Sequence, residues 1–181
     1  MLSFIFLLII LLVIWIIIRI KKTVVEVRGH WQHYFDNLKF SSQEFYQTIE
    51  ATVKAKQVPK LHTSRISYGE GGILYDNREY LRISRYKVVF DVCAAPFGQG
   101  FFISSWRGDL PDMWILIISA LPFIGKSMAN TLSKKTYYQE DTEAMFASLV
   151  HQSILEAIDE VTNAHGIRQL SELERTFHNQ K

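Results

Sequence analysis

The chain has 181 residues, with 20 Lys and Arg against 18 Asp and Glu, and its formal net charge is +2. A balance this close to neutral provides neither the strongly basic surface that nucleic acid requires nor an acidic tail, so no nucleic-acid partner is expected. Cys93 is the single cysteine, which excludes an intrachain disulfide and fits a reducing compartment.

The chain begins with a strongly apolar segment. No charged residue occurs from Leu2 to Ile18, and at about 1.5 Å per residue this stretch reaches roughly 25 Å as a helix, close to what spans a bilayer. We therefore predict a transmembrane anchor over residues 1–20. The alternative is a cleaved signal peptide, which usually has basic residues before a shorter apolar core and small residues at its cleavage site.

Basic residues directly after this segment predict its orientation. They are Arg19, Lys21, Lys22 and Arg28. Lys and Arg near a membrane span tend to remain on the cytoplasmic side. We therefore expect the N-terminus outside and the C-terminal domain in the cytoplasm, with a bacterial inner membrane as the favoured host. The same charges attract anionic lipids, which makes membrane lipid an expected partner.

Helical spacing dominates residues 21–58, which we predict to be a juxtamembrane region of two helices. Apolar residues three and four positions apart continue the membrane helix as a stalk to about Leu38. The stalk is expected to pack on the chain's own domain or to pair with a second copy. Ser41 and Glu44 then match a capping box, which predicts a second helix over 42–57.

Patterns typical of β-strands replace the helical spacing after Leu61. Runs that alternate, or that are rich in β-branched and aromatic residues, predict strands over 61–68, 72–75, 79–84, 87–94 and 100–107. Their short connections favour an antiparallel meander, because parallel pairing would need long crossovers. Residues 94–100, which contain Pro96 and glycines, are predicted to form a hairpin loop.

A second uncharged segment covers residues 113–124. It is too short to span a bilayer as a helix, and Lys126 limits its extension. Because a helix that is apolar on all sides must be buried in protein or in lipid, we expect a core helix under the sheet. A segment embedded in the membrane surface and a second full span over 113–132 are the alternatives.

The C-terminal part has the clearest pattern of a soluble helix. Apolar positions repeat on one face over 142–164, and Gly166 is placed to end this helix in a left-handed conformation. The whole pattern predicts an α+β fold, in which an N-terminal transmembrane helix precedes an antiparallel β-meander packed with helices and a long C-terminal amphipathic helix. The cytoplasmic α+β domain is expected to cover residues 59–181.

The sequence contains no motif that predicts a catalytic, cofactor or metal site. His30 and His33 are only two imidazoles without a matching cluster of further ligands. Cys93 lies at the end of an apolar strand, where a free cysteine behaves as a small hydrophobic residue. The glycine-containing turns lack the residues of a P-loop or a dinucleotide fingerprint. Asp91 needs an arginine partner if its strand face is buried, and is ordinary polar alternation if that face meets solvent.

Two sets of residues are candidates for binding. Aromatic residues in and after the glycine-flanked loop offer a large contact area to a protein partner; they are Phe97, Phe101, Phe102 and Trp106. Three arginines of the strand region are suited to an anionic headgroup; they are Arg82, Arg85 and Arg107. For both sets the alternative is structural, with the aromatics filling the core and the arginines lying on a solvated sheet face.

The leading functional hypothesis is a non-enzymatic interaction module. One helix tethers the α+β domain to the membrane, where the domain assembles with copies of itself or with another membrane-associated protein. The second hypothesis is a peripheral domain that binds lipid headgroups. The third is an enzyme that acts on a membrane substrate through Asp91, His151 or Cys93.

Overall fold

The structure, a computed structural model, describes residues 25–69, 77–110 and 135–179. The elements in these ranges are β1 (Glu26–Phe35), α1 (Ser42–Ala55), β2 (His62–Gly69), β3 (Asn77–Arg85), β4 (Val88–Phe97), β5 (Gly100–Asp109), α2 (Tyr137–Ala164) and β6 (His178–Asn179). They form the predicted α+β fold, with an antiparallel sheet and a long C-terminal helix. The anchor predicted over 1–20, the strand over 72–75 and the helix over 113–124 lie outside the described residues.

The chain divides into two compact units. One comprises Val27–Asp109 with Tyr137–Lys181, and the other comprises Met1–Glu26 with Leu110–Thr136. The strand β1 and the helix α1, predicted as a separate juxtamembrane region, therefore belong to the same unit as the strands that follow them. In the described ranges, neither helix combines the length and the apolar character needed to cross a membrane.

Within the described residues the sheet has six strands, in the order β2-β3-β4-β5-β1-β6. The strands β2 to β5 form successive antiparallel pairs, which confirms the predicted meander. In their register, Ile83 of β3 lies opposite Phe90 of β4, and Phe90 lies opposite Arg107 of β5. The strand β6 extends the sheet beyond β1, where His178 lies opposite His30 in an antiparallel pair.

The strand β1 replaces the stalk helix that the spacing predicts. Residues Glu26–Phe35 are extended, so the helical interpretation of this stretch is wrong. Trp31 and Phe35 are buried in the core, and their separation of four positions fits one face of a strand as well as one face of a helix. β-Branched and aromatic residues favour the pleated conformation, and β5 and β6 flank β1 as its partners in the sheet.

Both helices pack on one face of the sheet, named here the inner face. Inward residues such as Ile83, Phe90 and Ile103 share one core cluster with Phe45 of α1 and Ile154 of α2. The helix α1 packs against both α2 and β4. Alternate residues of each strand point to the opposite face, named here the outer face.

The start of α1 follows its local sequence signals. Ser41 Oγ accepts a hydrogen bond from the backbone N–H of Glu44 at 3.4 Å, which confirms the predicted N-cap. Phe40 and Phe45, on either side of the cap, both pack edge-on against Phe101, with ring centroids 6.3 and 6.1 Å from it. This shared contact holds the start of α1 against β5.

The helix α2 begins before the predicted start at residue 142 and ends where the sequence predicts. It covers Tyr137–Ala164. Gly166 has a φ of +64°, and the N–H of Ile167 donates to the carbonyl of Thr162 at 2.9 Å. Together they form a Schellman motif, which pairs a carbonyl that the helix end would otherwise leave unsatisfied.

The β4–β5 hairpin has a tighter turn than the loop predicted over 94–100. The strand β4 continues through Phe97, which pairs directly with the first residue of β5. Gly98 in the turn has a φ of +58°, a conformation that favours glycine. The loop prediction is wrong because Pro96 keeps its place in β4 although it cannot donate a ladder hydrogen bond.

Tyr46 of α1 bridges β3 and β4 where these strands separate. The last pair in their register is Leu81 with Val92. Beyond that pair, the Tyr46 hydroxyl accepts a hydrogen bond from the N–H of Ala94 at 3.0 Å and donates to the carbonyl of Glu79 at 2.9 Å. Burial raises the pKa of Tyr46 to about 12, so the hydroxyl keeps the proton that it donates.

Candidate functional site

A buried ionic cluster lies on the outer face of the sheet, across β2, β3 and β4. Arg82 Nε donates to Asp91 Oδ1 and Arg82 Nη2 donates to Asp91 Oδ2, both at 2.7 Å. The Tyr68 hydroxyl donates to the same Oδ2 at 2.9 Å and accepts from Arg82 Nη2 at 2.7 Å. The side chains of Arg82 and Asp91 are only 18% and 8% exposed. Asp91 therefore has the arginine partner that a buried strand face requires.

The strand register produces this cluster. Arg82 lies directly opposite Asp91 in the β3–β4 ladder, so the two side chains project side by side from one face. Hydrogen bonding to Asp91 raises the pKa of Arg82. Burial, with the neighbouring Asp91 charge, raises the pKa of Tyr68. Both donors therefore stay protonated, and Arg82 is committed to an internal carboxylate instead of an external anion.

Cys93 follows Asp91 on the same face of β4. It is 1% exposed, and burial raises the pKa of its thiol despite the nearby Arg78. A nucleophilic cysteine needs a lowered pKa and access for its substrate, and Cys93 has neither property. The thiol is a buried packing group beside Tyr80.

His151 of α2 lies on the inner side of the sheet. Its ring packs against Phe177 and Trp31, with centroids 5.2 and 6.2 Å away. Its Nε2 lies 2.7 Å from the carbonyl oxygen of Arg175, to which it donates as the protonated nitrogen of a neutral ring. Burial lowers the pKa of His151. Because Cys93 lies on the outer face, the fold does not bring these two residues of the enzymatic hypothesis together.

The strand β1 places its two histidines on different faces. His30 lies on the outer face and stacks on Trp106, with ring centroids 5.0 Å apart. His33 points inward and packs edge-on against Phe35 at 4.6 Å. Across the part of the chain that the structure describes, no group of three or more His, Cys, Asp or Glu side chains is arranged to hold a metal ion.

The two other arginines proposed to bind an anion do not join Arg82. The Arg85 guanidinium lies over the ring of Tyr86 in the β3–β4 turn, 5.0 Å from the ring centre. Arg107 lies opposite the core residue Phe90 and so projects to the inner side, away from Arg82. The three arginines therefore have separate surroundings.

The aromatic residues proposed for partner contact differ in exposure. Phe97, at the turn of the β4–β5 hairpin, is 69% exposed, whereas Phe101 is 0% exposed and belongs to the core. Phe102 and Trp106 are partly buried on the outer face. Phe97 is therefore the member of this set that a partner can reach most readily.

No family model matches this chain, and no curated protein matches it. A solved structure with some similarity is the crystal structure of TTHA0849 from Thermus thermophilus. The two chains are 14% identical, the match covers 75% of this chain and 97% of the other, and the TM-score is 0.25. A likeness with so low a TM-score carries no conclusion about fold or function.

The strand β1 supports the hairpin that carries Phe97. The Tyr34 hydroxyl donates to the carbonyl of Phe97 at 3.0 Å. Gly100 lies against Tyr34, and a Cβ at this position would come within 2.6 Å of the Tyr34 ring and overlap the carbonyl oxygen of Phe35. The glycine therefore allows β5 and β1 to approach closely, and the exposed Phe97 projects from a backbone that is fixed on both sides.

The basic residues predicted to flank the membrane divide between described and undescribed positions. Arg28 Nε donates to Asp109 Oδ2 at 3.2 Å, which joins the first residues of β1 to the end of β5. Arg19, Lys21 and Lys22 lie outside the described residues.

Further exposed tyrosines lie elsewhere in the domain: sequence reasoning finds Tyr86 among the basic residues of the strand region, but it does not identify Tyr137 and Tyr138. Tyr86, Tyr137 and Tyr138 are 71%, 92% and 80% exposed. Lysines neighbour them in the chain, since Lys87 follows Tyr86 and Lys135 precedes the other two. Tyrosine next to lysine is typical of residues at a membrane–water interface, and this pairing is the sequence signal that points to them.

Proposed function

We propose that this chain is a membrane-tethered interaction module. Residues 1–20 anchor it with the N-terminus outside, and the α+β domain on the cytoplasmic side contacts a second copy or another membrane-associated protein. The observation that carries the proposal is Phe97, an aromatic side chain that is 69% exposed at the turn of a supported hairpin. Aromatic residues supply large contact areas and are enriched at protein interfaces.

The order of this hairpin supports a binding role for Phe97. Its carbonyl accepts the hydrogen bond from Tyr34, and Gly100 packs closely against β1. A side chain presented from a fixed backbone loses little conformational freedom on binding, whereas an unsupported loop must first be ordered at a cost in free energy. The aromatic ring also has few torsions of its own to restrict.

The position of Phe97 suits a partner in the cytoplasm. Phe97 pairs with Gly100 at one end of the β4–β5 hairpin, and Val88 pairs with Asp109 at the other. At about 3.3 Å per residue these two ends are roughly 30 Å apart. The ion pair between Arg28 and Asp109 lies near the start of β1, which is the end of this strand that connects to residues 1–20. The attachment point of the tether and Phe97 therefore lie at opposite ends of the domain.

Photocross-linking in cells tests this proposal. The full chain carries a photoreactive benzoylphenylalanine at position 97, and a matched variant carries it in place of Leu173, another apolar residue that is 84% exposed. We expect a discrete adduct at position 97 that is absent at position 173, with a second copy or a membrane-associated protein identified in it by mass spectrometry. No adduct at position 97, or the same adducts at both positions, would contradict the proposal.

A substitution at Phe97 provides the second measurement. With the cross-linker moved to Gln99 in the same turn, Phe97→Ala is expected to abolish the adduct, while Leu173→Ala leaves it unchanged. Because both side chains are exposed, neither change is expected to alter the unfolding temperature. An adduct that survives Phe97→Ala contradicts the assigned contact.

The tether is tested independently of the partner. Alkaline carbonate is expected to leave the chain in the membrane fraction. Protease is expected to digest residues 59–181 in inverted vesicles and to spare them in intact spheroplasts. Release by carbonate, or digestion from the outside of intact spheroplasts, would contradict the proposed anchor and its orientation.

A further inference from the structure

The end of the domain opposite Phe97 combines tyrosine with lysine. Tyr86 forms the β3–β4 turn together with Lys87, and both residues are exposed. The next residue, Val88, pairs with Asp109 at the end of β5. The turn therefore lies at the same end of the sheet as Asp109.

The loop after α1 reaches the same end. Arg85 Nε donates to the carbonyl oxygen of Pro59 at 3.1 Å, and Arg85 lies opposite Val88 in the β3–β4 register. Lys60 follows Pro59 in the chain and is exposed. This loop therefore adds a second lysine to the surface around Tyr86.

The start of α2 lies at this end as well. Phe146 packs against Phe90 with ring centroids 6.1 Å apart. Past the other end of the helix, His165 packs against Phe40 at 5.4 Å, on the side of the core where β5 begins. Because α2 runs in this direction, Tyr137, roughly 13 Å before Phe146 along the helix axis, projects past Phe90 toward the end of the domain that carries Tyr86 and Lys87.

Both uncharged stretches of the sequence connect to this end of the domain. The strand β1 begins at Glu26, after the stretch 2–18, and β5 ends at Asp109, just before the stretch 113–124. The ion pair between Arg28 and Asp109, at 3.2 Å, brings the two points of attachment together.

We infer that this end of the domain lies on the headgroups of an anionic bilayer. The residues that define this basal surface are Lys60, Tyr86, Lys87, Tyr137 and Tyr138. Tyrosine rings prefer the boundary between hydrocarbon and water, and lysines near the surface are attracted to anionic lipids. The inference rests on the proposed tether, which holds this end at the membrane, and it adds a lipid contact made by the domain itself.

Nitroxide labels on the full chain test the basal surface. In a Cys93→Ala background, Tyr86→Cys and Tyr138→Cys carry the label, and Phe97→Cys is the control at the opposite end. The vesicles contain phosphatidylcholine with phosphatidylglycerol. Collisions with a water-soluble nickel complex are expected to be at least about twofold fewer at 86 and 138 than at 97, because packed headgroups limit access of the complex. Equal collision rates at the three positions would overturn the inference.

Charge reversal tests the role of the lysines. Lys60→Glu with Lys87→Glu is expected to raise the collision rate of the label at 138 toward the value at 97. Lys39→Glu, at an exposed lysine just before the start of α1, is expected to leave it unchanged. No effect from the double reversal, or an equal effect from Lys39→Glu, contradicts the inference.

Carbonate extraction of the same vesicles separates the two possible failures. A chain that is released has no tether, so the proposed function and the basal contact both fail. A chain that is retained has its tether. If its labels at 86 and 138 are then as accessible as the label at 97, the basal contact alone is overturned.

Discussion

Arg82 and Asp91 lie opposite each other on β3 and β4 and are joined by two hydrogen bonds of 2.7 Å. A carboxylate buried in this way depends on its cation, because the loss of either partner leaves a charge without compensation. Tyr68 of β2 is hydrogen-bonded to both side chains. The cluster therefore ties the β2–β3 pair at the edge of the sheet to β4 in its interior.

Removal of one partner is expected to destabilise the domain strongly. Asp91→Ala should lower the free energy of unfolding by about 3 to 5 kcal/mol, because Arg82 stays buried without its counterion. The double variant Arg82→Met with Asp91→Leu should cost less than the sum of the single changes, since apolar residues can replace a buried pair. Urea unfolding of the full chain in detergent measures Asp91→Ala, the double variant and both of its single changes, and additive costs in the double variant would argue against this account.

An exposed ion pair provides the control for that experiment. The side chains of Lys56 and Glu156 are 36% and 39% exposed, and their charged atoms are 2.9 Å apart. Lys56→Ala is expected to cost less than about 1 kcal/mol, because water solvates each charge that loses its partner. Burial, more than the distance between the charged atoms, then accounts for the different stability costs of breaking the two ion pairs.

Tyr46→Phe is expected to weaken the junction between β3 and β4. The change removes the hydroxyl that pairs the N–H of Ala94 and the carbonyl of Glu79. Backbone groups left unpaired inside a protein cost about 1 to 3 kcal/mol, which urea unfolding detects. Tyr138→Phe, at a side chain that is 80% exposed, should leave the stability unchanged. A Tyr46→Phe chain as stable as the parent would show that the hydroxyl is not needed at this junction.

Gly100→Ala is expected to displace the hairpin that carries Phe97. The added methyl would meet the Tyr34 ring at 2.6 Å and the backbone of Phe35, and overpacking of this kind costs about 1 to 3 kcal/mol. The adduct from the cross-linker at position 97 should also decrease. Gly166→Ala serves as the comparison, because its methyl has open space and only the positive φ opposes it. Equal adduct yields in the parent and Gly100→Ala chains would argue against a fixed hairpin.

Short-range signals are sufficient to predict the elements whose ends depend on nearby residues. The N-cap at Ser41 and the left-handed Gly166 are both confirmed, because each involves hydrogen bonds within a few positions. Residues Glu26–Phe35 are different. Their apolar spacing suits either a helix or a strand, and the choice is made by β5 and β6, which are distant in sequence.

The residues of the outer-face cluster are predictable only in part. A buried Asp91 requires an arginine, but the choice of Arg82 over Arg85 and Arg107 depends on the strand register, which no local pattern specifies. The same limit applies to the hairpin aromatics. Phe97 and Phe101 are close in sequence, yet the first is exposed at the turn and the second lies in the core.

Cys93 is expected to react slowly with thiol reagents in the folded chain. It is buried, and burial raises its pKa, so at neutral pH the thiol is neither accessible nor ionised. Because the chain has a single cysteine, maleimide labelling reports on this site alone. The folded chain should react at least about tenfold more slowly than the urea-unfolded chain. Similar rates would show that Cys93 is open to solvent, which would revive the nucleophile hypothesis.

The stability of the domain is expected to fall as the pH drops below neutral. Burial lowers the pKa of His151 from 6.5, and burial also lowers the pKa of His33. The unfolded chain then binds protons that the folded chain does not, so the free energy of unfolding rises with pH in this range. The stability that the two neutral histidines contribute is fully present above about pH 6.5, and it is lost as the pH falls through their lowered pKa values in the folded chain.

His151→Gln shows how much of this pH dependence of stability comes from one histidine. Urea unfolding of the full chain at about pH 7.5 and about pH 5.5 should give a lower free energy at the acidic pH, and the substitution should reduce that difference. His33 remains in the variant, so part of the slope should persist, and adding His33→Gln should reduce it further. An equal slope in the parent and His151→Gln chains would mean that the ring takes up its proton without leaving the contacts to Phe177 and the Arg175 carbonyl.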